Sequence, residues 1–475
     1  MAVSKPHGPG GPPYLLGFRS STSFIIATFW MSSFTDFFLY GMIVPVMPDA
    51  LVHRAGIPWE NRAFWVSILL MVEAGSGLIS CPLFGWLVDR SRTRSLPFLG
   101  GLFLLGTSMI MLALAHAPWM FVAARILQGS SSSMVMVAGL ALITDTVPAD
   151  SLGQTIGYLG SAISCGFMFG PMLGGLVYEH LGYNAVFVMA FIVVLFDVAM
   201  RLAVIEKRVA ARWLPETGIV SPRTEHQTFP GGHPQTPEHV ESQSKPALLL
   251  LLRQPQIVIS SIGLLMQGLI FSAFDSFLPI FVQSAYGWSA LGAGLVFTAP
   301  VIAAFFEPYF GHLSDRYGNR IISVLAFLLL APTLILFRFV ESNTTPHKVI
   351  FLTLLALIGV FVNLCMPALF VETQSVLESM ERAQPGIFGK RGAVAQAFGL
   401  QTMYQFLGMF LGPMFGVFEW RFGWEITTLV LGLLAAATAV PMFWLSGSEA
   451  VEARADAEAE NIGERERLLD GNRAV

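Results

Sequence analysis

Charge is what this 475-residue chain has least of: Asp, Glu, Lys and Arg make up 12% of it, against roughly 25% in an ordinary soluble protein. That sets aside the row of about three soluble domains which length alone suggests. A net charge of −4 is too small to argue for nucleic acid or any other charged partner. Cysteine is scarce as well. Cys81, Cys165 and Cys365 all fall inside apolar runs, which leaves no exposed disulfide framework. The chain has no nucleophile constellation, metal template or phosphate-binding loop, so no enzyme, no cofactor and no ATP-driven step are expected. The opening "MAVSKPHGPGGPPY" does not read as a cleavable signal peptide; residues 1–23 read as a flexible cytosolic tail rich in Pro and Gly.

Apolar sequence is what the chain has in abundance: 54% of residues are hydrophobic and the mean hydropathy is +0.64. Stretches near the length needed to cross a bilayer, bounded by charge or turn residues, fall at 24–47, 63–87, 96–116, 119–143, 154–178 and 184–205. Six more fall at 257–283, 289–311, 321–340, 349–372, 394–418 and 424–445. Lipid offers no partner to backbone polar groups, so each span is expected to be a helix. The fold class is therefore an all-α integral membrane protein, with twelve spans in two bundles at 24–205 and 257–445. Residues 206–256 are rich in Pro, His, Gln and Ser and read as a disordered linker between the halves. His226, His233 and His239 within it match no metal-ligand spacing. Residues 446–475 form a C-terminal tail.

Placing both ends in the cytosol puts most Lys and Arg on that side, among them Arg90, Arg92, Arg94, Arg316, Arg320, Lys390 and Arg391. Asn343 of "NTT" then lies in an outside loop as a glycosylation acceptor. In the tail, Glu464 with Leu468 and Leu469 has acidic-dileucine spacing, so the expected location is a plasma membrane or a vacuolar or vesicular one.

Two features occur twice. "GWLVDRSRTR" at 85–94 nearly repeats as "GHLSDRYGNR" at 311–320. "GFMFGPMLGG" in span 5, with Gly170, Pro171 and Gly174, has a counterpart in "GMFLGPMFG" of span 11, with Gly412 and Pro413. Small residues four apart let helices approach closely, and proline loosens the ladder there. Repeated halves with a site between them are the mark of secondary transporters.

These residues resemble the major facilitator superfamily over about residues 24 to 445. The first pair is similar to its signature loops between spans 2 and 3 and between spans 8 and 9. "RILQGSSSSMVMVAGLALITD" resembles the span 4 motif of the drug:proton antiporter branch, and the span 5 motif resembles that of antiporters. Within that branch "FTDFFLYGMIVPVMP" and "FDSFLPIF" are most similar to the vesicular amine transporters. The resemblance implies alternating access with export driven by an inward-moving proton, by a functional monomer. A uniporter or symporter, or a non-transporting sensor on the same fold, are the alternatives.

An embedded carboxylate costs about 2.5–3.5 kcal/mol on insertion scales, so each one needs a reason. Asp36 in span 1, Glu73 in span 2, Asp275 in span 7 and Arg125 in span 4 are the candidate substrate- and proton-binding residues, with Tyr404 shaping the pocket. The resemblance implies that Asp36 attracts a cationic nitrogen. Asp197 reads instead as a structural or lipid-proximal residue, and Glu307 as belonging with the second loop. Asp89, Arg90, Arg94, Asp315, Arg316 and Arg320 are the expected cytosolic gate, since helix N-termini attract Asp and C-termini attract Arg.

The departures from the resemblance are informative. Glu73 stands where the amine transporters have a Lys, Thr402 where they have its Asp partner, and Val362 where they have an Asp tied to proton coupling. Asp36, Glu73 or Asp275 would have to carry a proton instead. The excess of embedded acid suits a small, lipophilic, cationic or neutral organic compound.

Overall fold

The computed structural model describes residues 13–91, 93–148, 151–205, 210, 213, 247–288, 295–340, 342–388 and 392–446. A short α1 (Leu16–Arg19) precedes α2 (Thr22–Ile43), whose first turn is capped by Ser21 accepting from the Phe24 amide at 3.3 Å. α2 stops before Pro45, and Pro48 opens α3 (Met47–His53). The first half continues with α4 (Arg62–Arg90), α5 (Ser95–Ala113), α6 (Pro118–Thr144), α7 (Leu152–Leu181) and α8 (Tyr183–Ala203). The second half holds α9 (Ala247–Leu252), α10 (Pro255–Tyr286), α11 (Thr298–Ala304), α12 (Glu307–Tyr317) and α13 (Asn319–Phe337). It ends with α14 (Thr345–Ala383), α15 (Val394–Leu411), α16 (Met414–Phe422) and α17 (Trp424–Met442). The halves turn alike: Gly182 between α7 and α8 sits at φ 81°, and Gly423 between α16 and α17 at φ 84°.

Ten of these helices are long and apolar enough to cross a membrane unbroken. The other two of the twelve spans are interrupted. The span expected at 289–311 is α11 and α12, parted at Phe305–Phe306, with Pro308 in the first turn of α12, where its missing amide leaves no helical bond unmade. The span expected at 394–418 parts at Gly412–Pro413 into α15 and α16. Pro82 and Pro171, by contrast, are accommodated inside continuous helices. α14 has 39 residues, about 58 Å at 1.5 Å each, so it outreaches a ~30 Å hydrocarbon core. The expected linker is helical at Ala247–Leu252. Its histidines, Lys390, Arg391, the first twelve residues and the dileucine tail lie outside the described residues.

The repeated glycines set which helices touch. Gly166, Gly170 and Gly174 of α7 lie against Phe38 and Met42 of α2, the helix of Asp36. Gly408, Gly412 and Gly416 lie against Leu265, Ser272 and Ser276 of α10, the helix of Asp275. A methyl on Gly170 would sit 2.6 Å from the Phe38 carbonyl oxygen, whereas one on Gly175 would meet nothing closer than 4.0 Å. Gly170→Ala is therefore expected to cost about 1–3 kcal/mol in thermal unfolding, with Gly175→Ala near neutral. Equal melting curves for the two would show that this approach is loose.

The halves meet along two seams, α4 against α15 and α7 against α12. Both seams run to the end of the bundle that carries Asp89 and Asp315, termed here the basal end.

Candidate functional site

The first half holds a buried polar network. Asp36 of α2 is 2% exposed and accepts the Ser132 hydroxyl of α6 at 2.8 Å. Glu73 of α4 is 4% exposed, and its Oε2 receives Nη1 of Arg125, itself 1% exposed, at 2.6 Å. The same nitrogen reaches the Gln128 Oε1 at 3.0 Å, and the guanidinium lies 5.8 Å from the centre of the Tyr40 ring. Gly129 lets α6 come close enough for this, with the Glu73 carbonyl where a side chain would be. A buried ion pair survives only with such tight geometry and extra hydrogen bonds. Glu73 is thus held as the counter-ion of Arg125, while Asp36 is bonded to a hydroxyl and not to a cation.

Asp197 faces the interior, not lipid. It is fully buried and accepts the Ser32 hydroxyl of α2 at 2.6 Å. One turn on, Arg201 is also buried, donating to Ser95 Oγ at 2.9 Å over the face of Phe98. Arg201 stands in the last turn of α8, so Arg125 is the more deeply embedded of these two buried cations. The signal for the second pair was present, since the four-residue spacing of Asp197 and Arg201 puts them on one face of α8.

In the second half Asp275 is half-buried on α10. One turn before it, Phe271 packs on Phe167 of α7 at 4.7 Å, and Phe167 in turn packs on Phe37 and Tyr40. These rings join the halves between the two acidic helices. Tyr404 is half-buried against the cluster of Leu251, Ile257, Val376 and Leu400, with no bond to Glu73 or Arg125. Gln401 bonds Ser260 and the Leu369 carbonyl, and Gln405 bonds Gln267, which ties α15 to α10 and α14.

At the basal end each repeated Asp grips a helix of the opposite half. Asp89 accepts from the Ala395 and Gln396 amides, at 3.0 and 2.9 Å, at the start of α15. Asp315 accepts from the Gly153 and Gln154 amides, both at 2.9 Å, at the start of α7. First-turn amides have no partner inside their helix, so a carboxylate there gains both hydrogen bonds and the helix dipole. Arg94 bridges Asp89 at 3.2 Å and Asp145 at 3.1 Å. Arg90, Arg316 and Arg320 do not join this set. They are exposed, Arg90 over Trp86 and Arg316 over Tyr317. In the second half Asn319 bonds Ser314 and Glu372 beside the clasp. Asp145 ends the span 4 motif and could have been read from it; Asn319 and Glu372 carried no such signal. Asn343 is exposed between α13 and α14.

Two six-helix halves carrying a repeated loop motif, with carboxyl groups buried in mid-helix, define a secondary transporter. The sequence matches the profile of the Major Facilitator Superfamily over residues 29–389 and 293–470, and the chain belongs to that family. It is 30% identical to the MFS-type transporter ppzB of Metarhizium rileyi, over 93% of this chain and 97% of that one. It is 33% identical to an uncharacterized MFS-type transporter, C18.02, of Schizosaccharomyces pombe, over 83% and 89%. With the multidrug resistance protein MdtG of Escherichia fergusonii the identity is 25%, over 82% and 85%. Among solved structures, the human organic anion transporter MFSD10 (TETRAN) shares the fold, with a TM-score of 0.64 at 17% identity over 89% of this chain and 99% of that one.

Proposed function

We propose that this protein exports a small, lipophilic, cationic or neutral organic compound from the cytosol in exchange for protons, by alternating access between its two halves. The observation that carries this is Asp36: a carboxyl group buried midway along a helix, bonded to a serine hydroxyl, with the nearby cation already committed to Glu73. A carboxyl group so placed can hold a proton while the halves are closed and give it up to an organic cation once they part. The basal end faces the cytosol on this reading, since the exposed Arg90, Arg316 and Arg320 cluster there. The structure then stands closed on the cytosolic side, with Asp89 and Asp315 as its clasps. We read the span 4 and span 5 motifs as those of drug:proton antiporters, most like the vesicular amine transporters. The name of MdtG, a multidrug resistance protein, is in keeping with a small organic substrate. Asn343 is the proposed glycan acceptor, in a plasma, vacuolar or vesicular membrane, and the working unit is a monomer.

The test is counterflow in proteoliposomes with labelled tetraphenylphosphonium as probe. A carrier exchanges label for unlabelled compound without any gradient. A sensor on this fold shows no exchange, and that result would end the transport reading for this substrate class.

A further inference from the structure

The two seams of the basal end share a plan but differ in one residue type. In the register of the repeated loops, Cys81 of α4 corresponds to Glu307 of α12, each four residues before its motif glycine, Gly85 or Gly311. The partner helices correspond too. Asp89 binds at Ala395 and Gln396, Asp315 at Gly153 and Gln154, so Gly399 matches Gly157 and Thr402 matches Gly160. In the first seam a side chain on Gly399 would start 2.9 Å from the Cys81 carbonyl oxygen, and the groups there are neutral. In the second, Gly157 lies against the Glu307 backbone, and the Glu307 carboxyl group occupies the space that a side chain on Gly160 would take. Glu307 is 1% exposed, and its Oε2 has no hydrogen-bond partner.

No cation among the described residues meets this carboxyl group. α7 presents glycines, and its Tyr158 is exposed. α11 has no titratable residue. α14 presents Cys365, which feels Glu307 electrostatically; its Glu372 is bonded to Asn319 of α13 and to the Ser446 amide. On α13, Arg320 is exposed. On α12 itself Tyr309, His312, Arg316 and Tyr317 are exposed, and Asp315 is bound to the α7 amides. An ionised carboxylate in that setting would be a buried, uncompensated charge, which proteins avoid by taking up a proton.

We propose that Glu307 is a proton-binding site of the basal closure: the α7–α12 seam shuts with one proton on this carboxyl group and releases it to water when the seam parts. Closure then consumes a proton. Above the range where a water-exposed glutamate titrates, about 4.3, rising pH lowers the closed-to-open ratio by up to about tenfold per pH unit. This rests on alternating access, but it holds whichever ion drives transport.

The experiment uses the full chain in lipid nanodiscs with spin labels at Leu96→Cys and Arg382→Cys, exposed residues at the basal ends of the two halves, and with Cys81, Cys165 and Cys365 replaced by alanine. With Glu307 intact, the short-distance population is expected to fall as pH rises between about 6 and 8, and in Glu307→Gln that slope disappears with the seam shut. Glu307→Met, neutral and without a thiol to take the label, is expected to be equally flat. A flat profile with Glu307 intact, or the same slope in both variants, overturns the proposal. Loss of the slope in the variants, in a protein whose uptake ignores a pH gradient, would remove proton coupling and leave this site standing.

Discussion

Asp89→Asn is expected to move the protein toward forms open at the basal end by about ten- to a hundredfold. The carboxylate serves two amides of α15 and the Arg94 guanidinium at once. Hydrogen bonds to a charged group contribute about 1.5–3 kcal/mol, and each 1.4 kcal/mol is about tenfold in an equilibrium. Asn keeps the shape but turns one acceptor into a donor facing amide donors. Arg94 remains anchored through Asp145, so the helix end itself should stay folded. Asp315→Asn should do the same to the α7 seam, and both together should exceed either alone. The readout is the spin-label distance across the basal end together with the transport rate. An unchanged distance distribution in Asp89→Asn would mean that the contact is not a clasp.

Arg125→Met is expected to destabilise the folded protein by about 3–5 kcal/mol, because it strands Glu73 as a buried charge and leaves Gln128 without its donor. Replacing both members, Arg125→Met with Glu73→Met, should recover most of that loss, since a packed apolar pair needs no counter-charge. Thermal unfolding of purified protein reads both effects. A single variant as stable as the double would show that Glu73 is already neutral without Arg125, and would return it to the set of free proton carriers.

The chain's long apolar runs made the spans legible, because a helix in lipid must satisfy its own backbone. The interruptions were less so. Pro308 stands in the first turn of a new helix whereas Pro171 sits inside a continuous one, and nothing in the two sequences separates them. The repeated loops drew attention to Asp89 and Asp315, and both lie at helix N-termini of the opposite half. The arginines beside them were harder to read. Arg90 follows Asp89 on the same helix and so points about 100° away from it, outward over Trp86 one turn back. Arg94 lies beyond the helix end and can fold back to Asp89. Asp197 looked misplaced in sequence because its partner, Ser32, is 165 residues away.

This chain closes its charge pair inside one half, Glu73 with Arg125, and leaves Thr402 neutral and buried. Proton exchange on this account falls to Asp36 and Asp275, which are not ion-paired to Arg125.

The most direct measurement is uptake of labelled tetraphenylphosphonium by proteoliposomes with an imposed pH gradient, comparing the unmodified protein with Asp36→Asn, Glu73→Gln and Asp275→Asn. An acidic lumen should drive accumulation by the unmodified protein. Asp36→Asn should abolish that drive and also slow gradient-free counterflow, since the same carboxyl group holds the cation. Accumulation that ignores the gradient, or full coupling in all three variants, would contradict proton exchange at these carboxyl groups.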